Sequence, residues 1–182
     1  AGAYAFALEA GWQPKGVAWS PWLRAGYNHY SGDGDPNDGD HNTFYPLLDT
    51  PRIYARTPFY TLANARDAFV MVTAKPHPKV NVRTDYHWVR LDRGGDLWYA
   101  ADGPFQSGPR FAPSDFGLIG RPAGGRRNVA NLWDVSLDYA ASARTSYSLY
   151  LGWMHGGGSV VRAIYPDDRD GLFAYAEATL KF

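Results

Sequence analysis

The sequence predicts an all-β chain, folded as part of a transmembrane, antiparallel, up-and-down β-barrel. Three observations predict it. Stretches of about ten residues alternate apolar and mixed positions with a period of two. The connections between them run short, long, short, long. The apolar faces are graded, with aromatic residues at both ends and aliphatic residues between.

The first predicted strand, residues 3–12, sets Tyr4, Phe6, Leu8, Ala10 and Trp12 against Ala3, Ala5, Ala7 and Glu9. Pro14, Lys15 and Gly16 make a short turn. Residues 17–28 then set Val17, Trp19, Leu23, Ala25 and Tyr27 against Ser20, Trp22, Arg24, Gly26 and Asn28. Pro21 is a blemish in that strand because it removes a ladder donor. A long loop rich in Gly, Asp and Pro covers 31–64.

The third strand, 65–75, is apolar on both faces around Phe69, Val70, Met71 and Val72, so alternation leaves its orientation open. A turn at Pro76 to Lys79 leads into 80–88, where Val80, Val82, Thr84, Tyr86 and Trp88 oppose Asn81, Arg83, Asp85 and His87. A second long loop spans 93–127. Strand 129–139 sets Trp133, Val135, Leu137 and Tyr139 against Leu132, Asp134, Ser136 and Asp138. After a short turn at 142–144, strand 145–154 sets Tyr147, Leu149, Leu151 and Trp153 against Ser146, Ser148, Tyr150 and Gly152. A third long loop, 155–171, precedes the last strand, 172–182, where Leu172, Leu180 and Phe182 share a face opposite Phe173, Tyr175, Glu177 and Lys181.

Trp12, Trp19, Tyr139, Tyr147 and Phe182 fall at the short-turn ends, and Tyr4, Tyr27, Trp88 and Trp153 at the long-loop ends. Leu23, Val135, Leu149 and Leu151 lie between these two girdles. A ten-residue strand tilted by about 40° spans roughly 25 Å, the height of a lipid-facing band.

Composition agrees. At 182 residues the chain has the size of one domain, and its formal charge of zero gives no global attraction to nucleic acid. Aromatics reach 16%, yet no run approaches the roughly 18 apolar residues of a membrane helix. There is no cysteine, as suits an envelope protein without disulfides. A soluble sugar-binding β-sandwich is the alternative architecture.

The loop Ser31, Gly32, Asp33, Gly34, Asp35, Pro36, Asn37, Asp38 and Gly39 invites a calcium reading over 31–40 through Asp33, Asp35 and Asp38. It lacks the EF-hand glycine, and Phe44 stands where the bidentate Glu belongs. A loop rich in Asx-turns is the plainer reading, with no cofactor.

The last strand, ending on Phe182, resembles the closing strand of bacterial outer-membrane barrels, which places that end in the periplasm. Seven strands counted back from it put Ala1 outside. An unpaired edge in lipid is costly, so residues 1–182 are expected to be the C-terminal part of a larger barrel whose remaining N-terminal strands complete the wall.

More specifically, the chain resembles the alginate export family of outer-membrane proteins. The resemblance rests on Ser31-Gly32-Asp33, Pro36, Asp38-Gly39, Thr43-Phe44, Leu47-Leu48, Asn64-Ala65-Arg66-Asp67, Lys75-Pro76, Asp85-Tyr86-His87-Trp88 and the terminal Ala-Thr-Leu-Lys-Phe, from about residue 12 to the end. The 93–127 loop and residues 129–133 depart from the pattern. The resemblance implies an 18-stranded barrel in the outer membrane, bounded by its lipids, passing an anionic sugar or uronate.

Parity tests that implication at the lumen. It turns Arg24, Arg83 and Lys181 inward, but also Glu9, Asp85, Asp134, Asp138 and Glu177. The expected solute path comprises Arg24, Arg83, Asp85, His87 and Asp134, with Arg66 if its strand is suitably turned, and the loop arginines Arg52 and Arg56. Of 18 basic residues 14 are arginine, whose fork suits carboxylates. A general porin without anion selectivity is the second reading. A barrel hydrolase is a third: Asp85, His87 and serines 136, 146 and 148 share the inward face. They carry no nucleophile signature, and a lipid hydrolase would need its triad at the lipid boundary. The chain is therefore expected not to be an enzyme.

Overall fold

A computed structural model describes residues 2–35, 38–46, 60–100, 119–156, 160–167 and 170–182. Its main element is one antiparallel sheet built from β1 (Ala5–Trp12), β2 (Trp22–Tyr30), β3 (Ala65–His77), β4 (Val80–Leu91), β7 (Asn128–Ala140), β8 (Thr145–His155) and β9 (Asp170–Leu180), paired in that order. A hairpin of β5 (Leu97–Ala100) and β6 (Ile119–Pro122) sits in the connection between β4 and β7. A one-turn helix, α1 (Val160–Ile164), lies between β8 and β9. β1 and β9 are the two edges of the sheet.

Alternation located the seven long strands, and the register fixes their faces. Tyr27, Ala68 and Trp88 are successive partners across β2, β3 and β4. Val82, Leu137, Leu149 and Ala176 form another such row across β4, β7, β8 and β9. On this face Leu8, Val70, Leu149, Leu151 and Leu172 lie exposed, and Tyr4, Trp12, Trp88, Tyr139, Tyr147 and Trp153 mark its two ends. A continuous exposed apolar face bordered by aromatics belongs against lipid.

Two expectations need correction, and an orientation that alternation left open is fixed. β2 begins at Trp22, not at residue 17, because Pro21 offers no donor and Trp19 and Ser20 take positive φ (67° and 45°) in the turn. The segments 93–127 and 155–171, expected as long loops, contain the β5–β6 hairpin and α1. β3 turns Asp67, Phe69 and Met71 to the buried face, so Arg66 points outward with Ala68 and Val70 and does not line the lumen.

At the long-loop end the core sits on the lumen side. Tyr30, Val89, Leu91, Leu132 and Met154 from the strand ends pack with Tyr60, Leu62, Trp98, Val160 and Val161 from the loops. The described parts of the loops therefore fold over the mouth. Two aspartates clamp them. Asp92 accepts the Gly32 N–H at 3.0 Å, and Asp96 accepts the Asp33 N–H at 2.8 Å and the Thr43 hydroxyl at 2.6 Å. Gly32 is required there, since a Cβ would stand 1.9 Å from Asn64 Oδ1.

Candidate functional site: the inner wall

Between the mouth and the short-turn end the inner face carries ionic pairs and aromatic rings. Register places Glu9, Gly26, Phe69, His87 and Leu132 in one row, and Arg24, Met71, Asp85 and Asp134 in the next. Asp85 and Asp134 stand directly opposite each other, an unfavourable arrangement unless cations compensate. Arg83 bonds Asp85, and His87 Nε2 lies 3.6 Å from the other Asp85 oxygen.

His87 is fully buried, with Nδ1 2.9 Å from Asp67 Oδ2 and its ring stacked on Phe69 at 5.3 Å. The Tyr60 hydroxyl donates to the same Asp67 oxygen at 3.2 Å. Burial, followed by the Asp67 charge, holds that phenol well above its ordinary pKa, so it stays a donor. Gly26 lets Phe69 lie flat on β2, since a Cβ would meet the ring at 2.6 Å.

Arg24 bonds Glu9 through Nε at 2.9 Å and rests over the Trp22 and Phe69 rings at 5.9 and 5.4 Å. On β8 and β9, Tyr150, Phe173 and Tyr175 form a second aromatic patch, with centroids 5.1 to 5.9 Å apart. Nearer the short turns a groove of about 430 Å³ is lined by Lys75, Lys79, Asp138, Ser148 and Glu177.

Of the expected path residues, Arg24, Arg83, Asp85, His87 and Asp134 share this wall, and Arg66 does not. Arg52 and Arg56 lie outside the described residues. Sequence reasoning missed Asp67, the principal partner of His87, because β3 had no assigned face. Its wall cations Arg24, Lys75, Arg83 and Lys181 are outnumbered by Glu9, Asp67, Asp85, Asp134, Asp138 and Glu177.

The aspartates of the 31–40 loop do not converge as calcium ligands. Asp33 Oδ1 accepts the Asp35 N–H at 3.2 Å and Asp38 Oδ1 accepts the Asp40 N–H at 2.9 Å, the geometry of Asx-turns. Among the described residues no three His, Cys, Asp or Glu side chains form a metal-binding group. Ser136 is opposite Arg83 in register, four residues along the strand from the His87 partner Leu132, or about 13 Å. That is too far for a nucleophile and its base.

No characterised protein matches the chain. The family model described as Alginate export matches residues 1–168, so it takes in β1, which the motif comparison had left out, and stops short of β9. That family is one of outer-membrane transport proteins, not enzymes. With strand order, a lipid-suited face and a family match over most of its length, this chain belongs to the alginate export family of bacterial outer-membrane polysaccharide exporters.

Proposed function

We propose that the chain forms one wall of an outer-membrane pore that passes anionic sugars of the uronate class by passive diffusion. The observation that carries this reading is the pairing of aromatic surface with arginine on the inner face. Trp22 lies beneath Arg24 and is 41% exposed, and the half-buried Phe173 and Tyr175 continue the surface on β9. Aromatic rings stack on the apolar faces of pyranose rings, and a guanidinium holds a carboxylate in a fixed plane. Several weak contacts in series let a polymer move without being trapped. Further strands pairing with β1 and β9 complete the wall, because an open edge has no partner in lipid.

A specific observation favours the second reading, a pore without anion preference. The inner carboxylates outnumber the cations, and Arg24 and Arg83 are each already paired with one. Anion preference then falls to arginines of the 31–64 sequence segment such as Arg52 and Arg56. Reversal potentials across planar bilayers under a salt gradient separate the two. Anion selectivity, with block by an oligouronate and weaker block by a neutral oligosaccharide of equal length, supports the uronate pore. A cation-selective or unselective channel indifferent to oligouronate leaves only the general porin.

A further inference from the structure

The outer face carries a row of cations that the solute path does not use. Across the sheet Arg66 is the register partner of Arg90, and Arg90 in turn pairs with Asn128, the residue after Arg127. One step below, on the same face, lie Tyr27, Ala68 and Trp88, the lipid-facing girdle of the long-loop end. Two residues of strand separate the rows, about 7 Å, so the arginines stand just beyond the hydrocarbon boundary, at headgroup depth.

Tyr27, Arg66, Ala68, Trp88, Arg90 and Arg127 border, with Leu91, a groove of about 520 Å³. The β3–β4 register sets two guanidiniums directly opposite each other, where they repel unless an anion lies between them. One carboxylate is near. Asp92 is buried, bonds Arg66, and has His29 Nε2 at 3.4 Å and Arg93 Nε at 3.6 Å. Arg127 donates Nε to the Leu91 carbonyl at 3.3 Å, and both Arg90 and Arg127 are exposed without a carboxylate partner among the described residues. An excess of positive charge therefore faces the membrane surface, above an aromatic shelf.

We infer that this groove binds the phosphorylated headgroup of an outer-leaflet lipid, with Arg66, Arg90 and Arg127 gripping phosphate and Tyr27 and Trp88 lying along the acyl or sugar portion. Forked guanidiniums bind phosphate oxygens in pairs, and the aromatic shelf suits a ligand that is anionic at one end and apolar at the other. A free inorganic ion would use the arginines but not the shelf. The site lies on the opposite face of the sheet from the proposed pore and stands whether or not that pore selects anions.

The test is native mass spectrometry of the complete polypeptide carrying this sequence, released from nanodiscs that contain either a phosphorylated glycolipid or its dephosphorylated form. Wild type should retain the phosphorylated lipid, and the double variant R90Q/R127Q should lose about thirtyfold in retention, at about 1 kcal/mol for each removed arginine. The variant R144Q, at the opposite membrane face, should retain it fully. Single-channel conductance of R90Q/R127Q should equal wild type, which shows that the barrel is folded. Equal retention by wild type and R90Q/R127Q, equal retention of the two lipids, or complete displacement by millimolar inorganic phosphate would overturn the lipid site.

Discussion

His87 reaches diagonally across the β3–β4 ladder to Asp67, placing Nδ1 within 3.0 Å of both carboxylate oxygens. Both side chains are fully buried, and Tyr60 from the long loop joins them. The contact ties the barrel wall to the loop above it. Removing His87 strands the Asp67 charge in a buried site, and such a loss costs about 3–5 kcal/mol. His87→Ala should lower the denaturant midpoint sharply, while Asp67→Asn combined with His87→Ala should recover part of the loss. Unfolding curves in bilayers check this, and a wild-type midpoint for His87→Ala would disprove the pairing.

That contact also marks where sequence reading ran out. The long strands were legible because their outer faces must be apolar while their inner faces need not be, so period two survives. β3 was illegible because Phe69 and Met71 fill the inner wall beneath His87 and Arg24, making both faces apolar at that height. With its face unknown, Asp67 could not be counted and Arg66 could be placed on the path only conditionally. The β5–β6 hairpin and α1 were hidden for another reason. Each is at most five residues long, shorter than any periodicity can establish, and is held by tertiary contacts such as Trp98 and Val160 in the mouth core.

The outer face makes its own prediction. Leu149 lies mid-strand between Leu137 and Ala176 and is 55% exposed, whereas its neighbour Ser148 faces inward and donates to Asp138 at 2.7 Å. Leu149→Arg should destabilise by about 2–4 kcal/mol and Ser148→Arg by much less. Folding free energies in lipid vesicles measure both. Equal penalties would remove the assignment of faces.

Acid should loosen the loop clamp. Burial raises the Asp92 pKa, but the Gly32 N–H and Arg66 more than offset it and hold the carboxyl below its ordinary 3.8. A depressed folded value means the stabilisation is complete above 3.8 and is lost as pH falls through the lower folded value. The protection factor of the Gly32 amide, its exchange rate relative to an unstructured amide at the same pH, should therefore stay high at neutral pH and fall only below that range. In Asp92→Asn the protection factor should no longer change across that range. A wild-type protection factor that is flat down to pH about 2 would contradict the clamp.

Arg24 and Arg66 should behave differently. Arg24 is on the inner wall beside Glu9, and Arg66 is on the outer rim beside Asp92. Arg24→Gln removes one positive charge from the lumen and leaves Glu9 uncompensated, so the pore moves toward cations. A single charge acting at roughly 10 Å through water is worth about 0.4 kcal/mol, or about a factor of two in permeability ratio. Glu9→Gln should move the ratio by a similar factor the other way. Arg66→Gln should leave it unchanged, because the sheet itself stands between that side chain and the solute. Reversal potentials for the three variants under one salt gradient decide the matter: a shift in Arg66→Gln as large as in Arg24→Gln would mean that the faces of β3 are reversed.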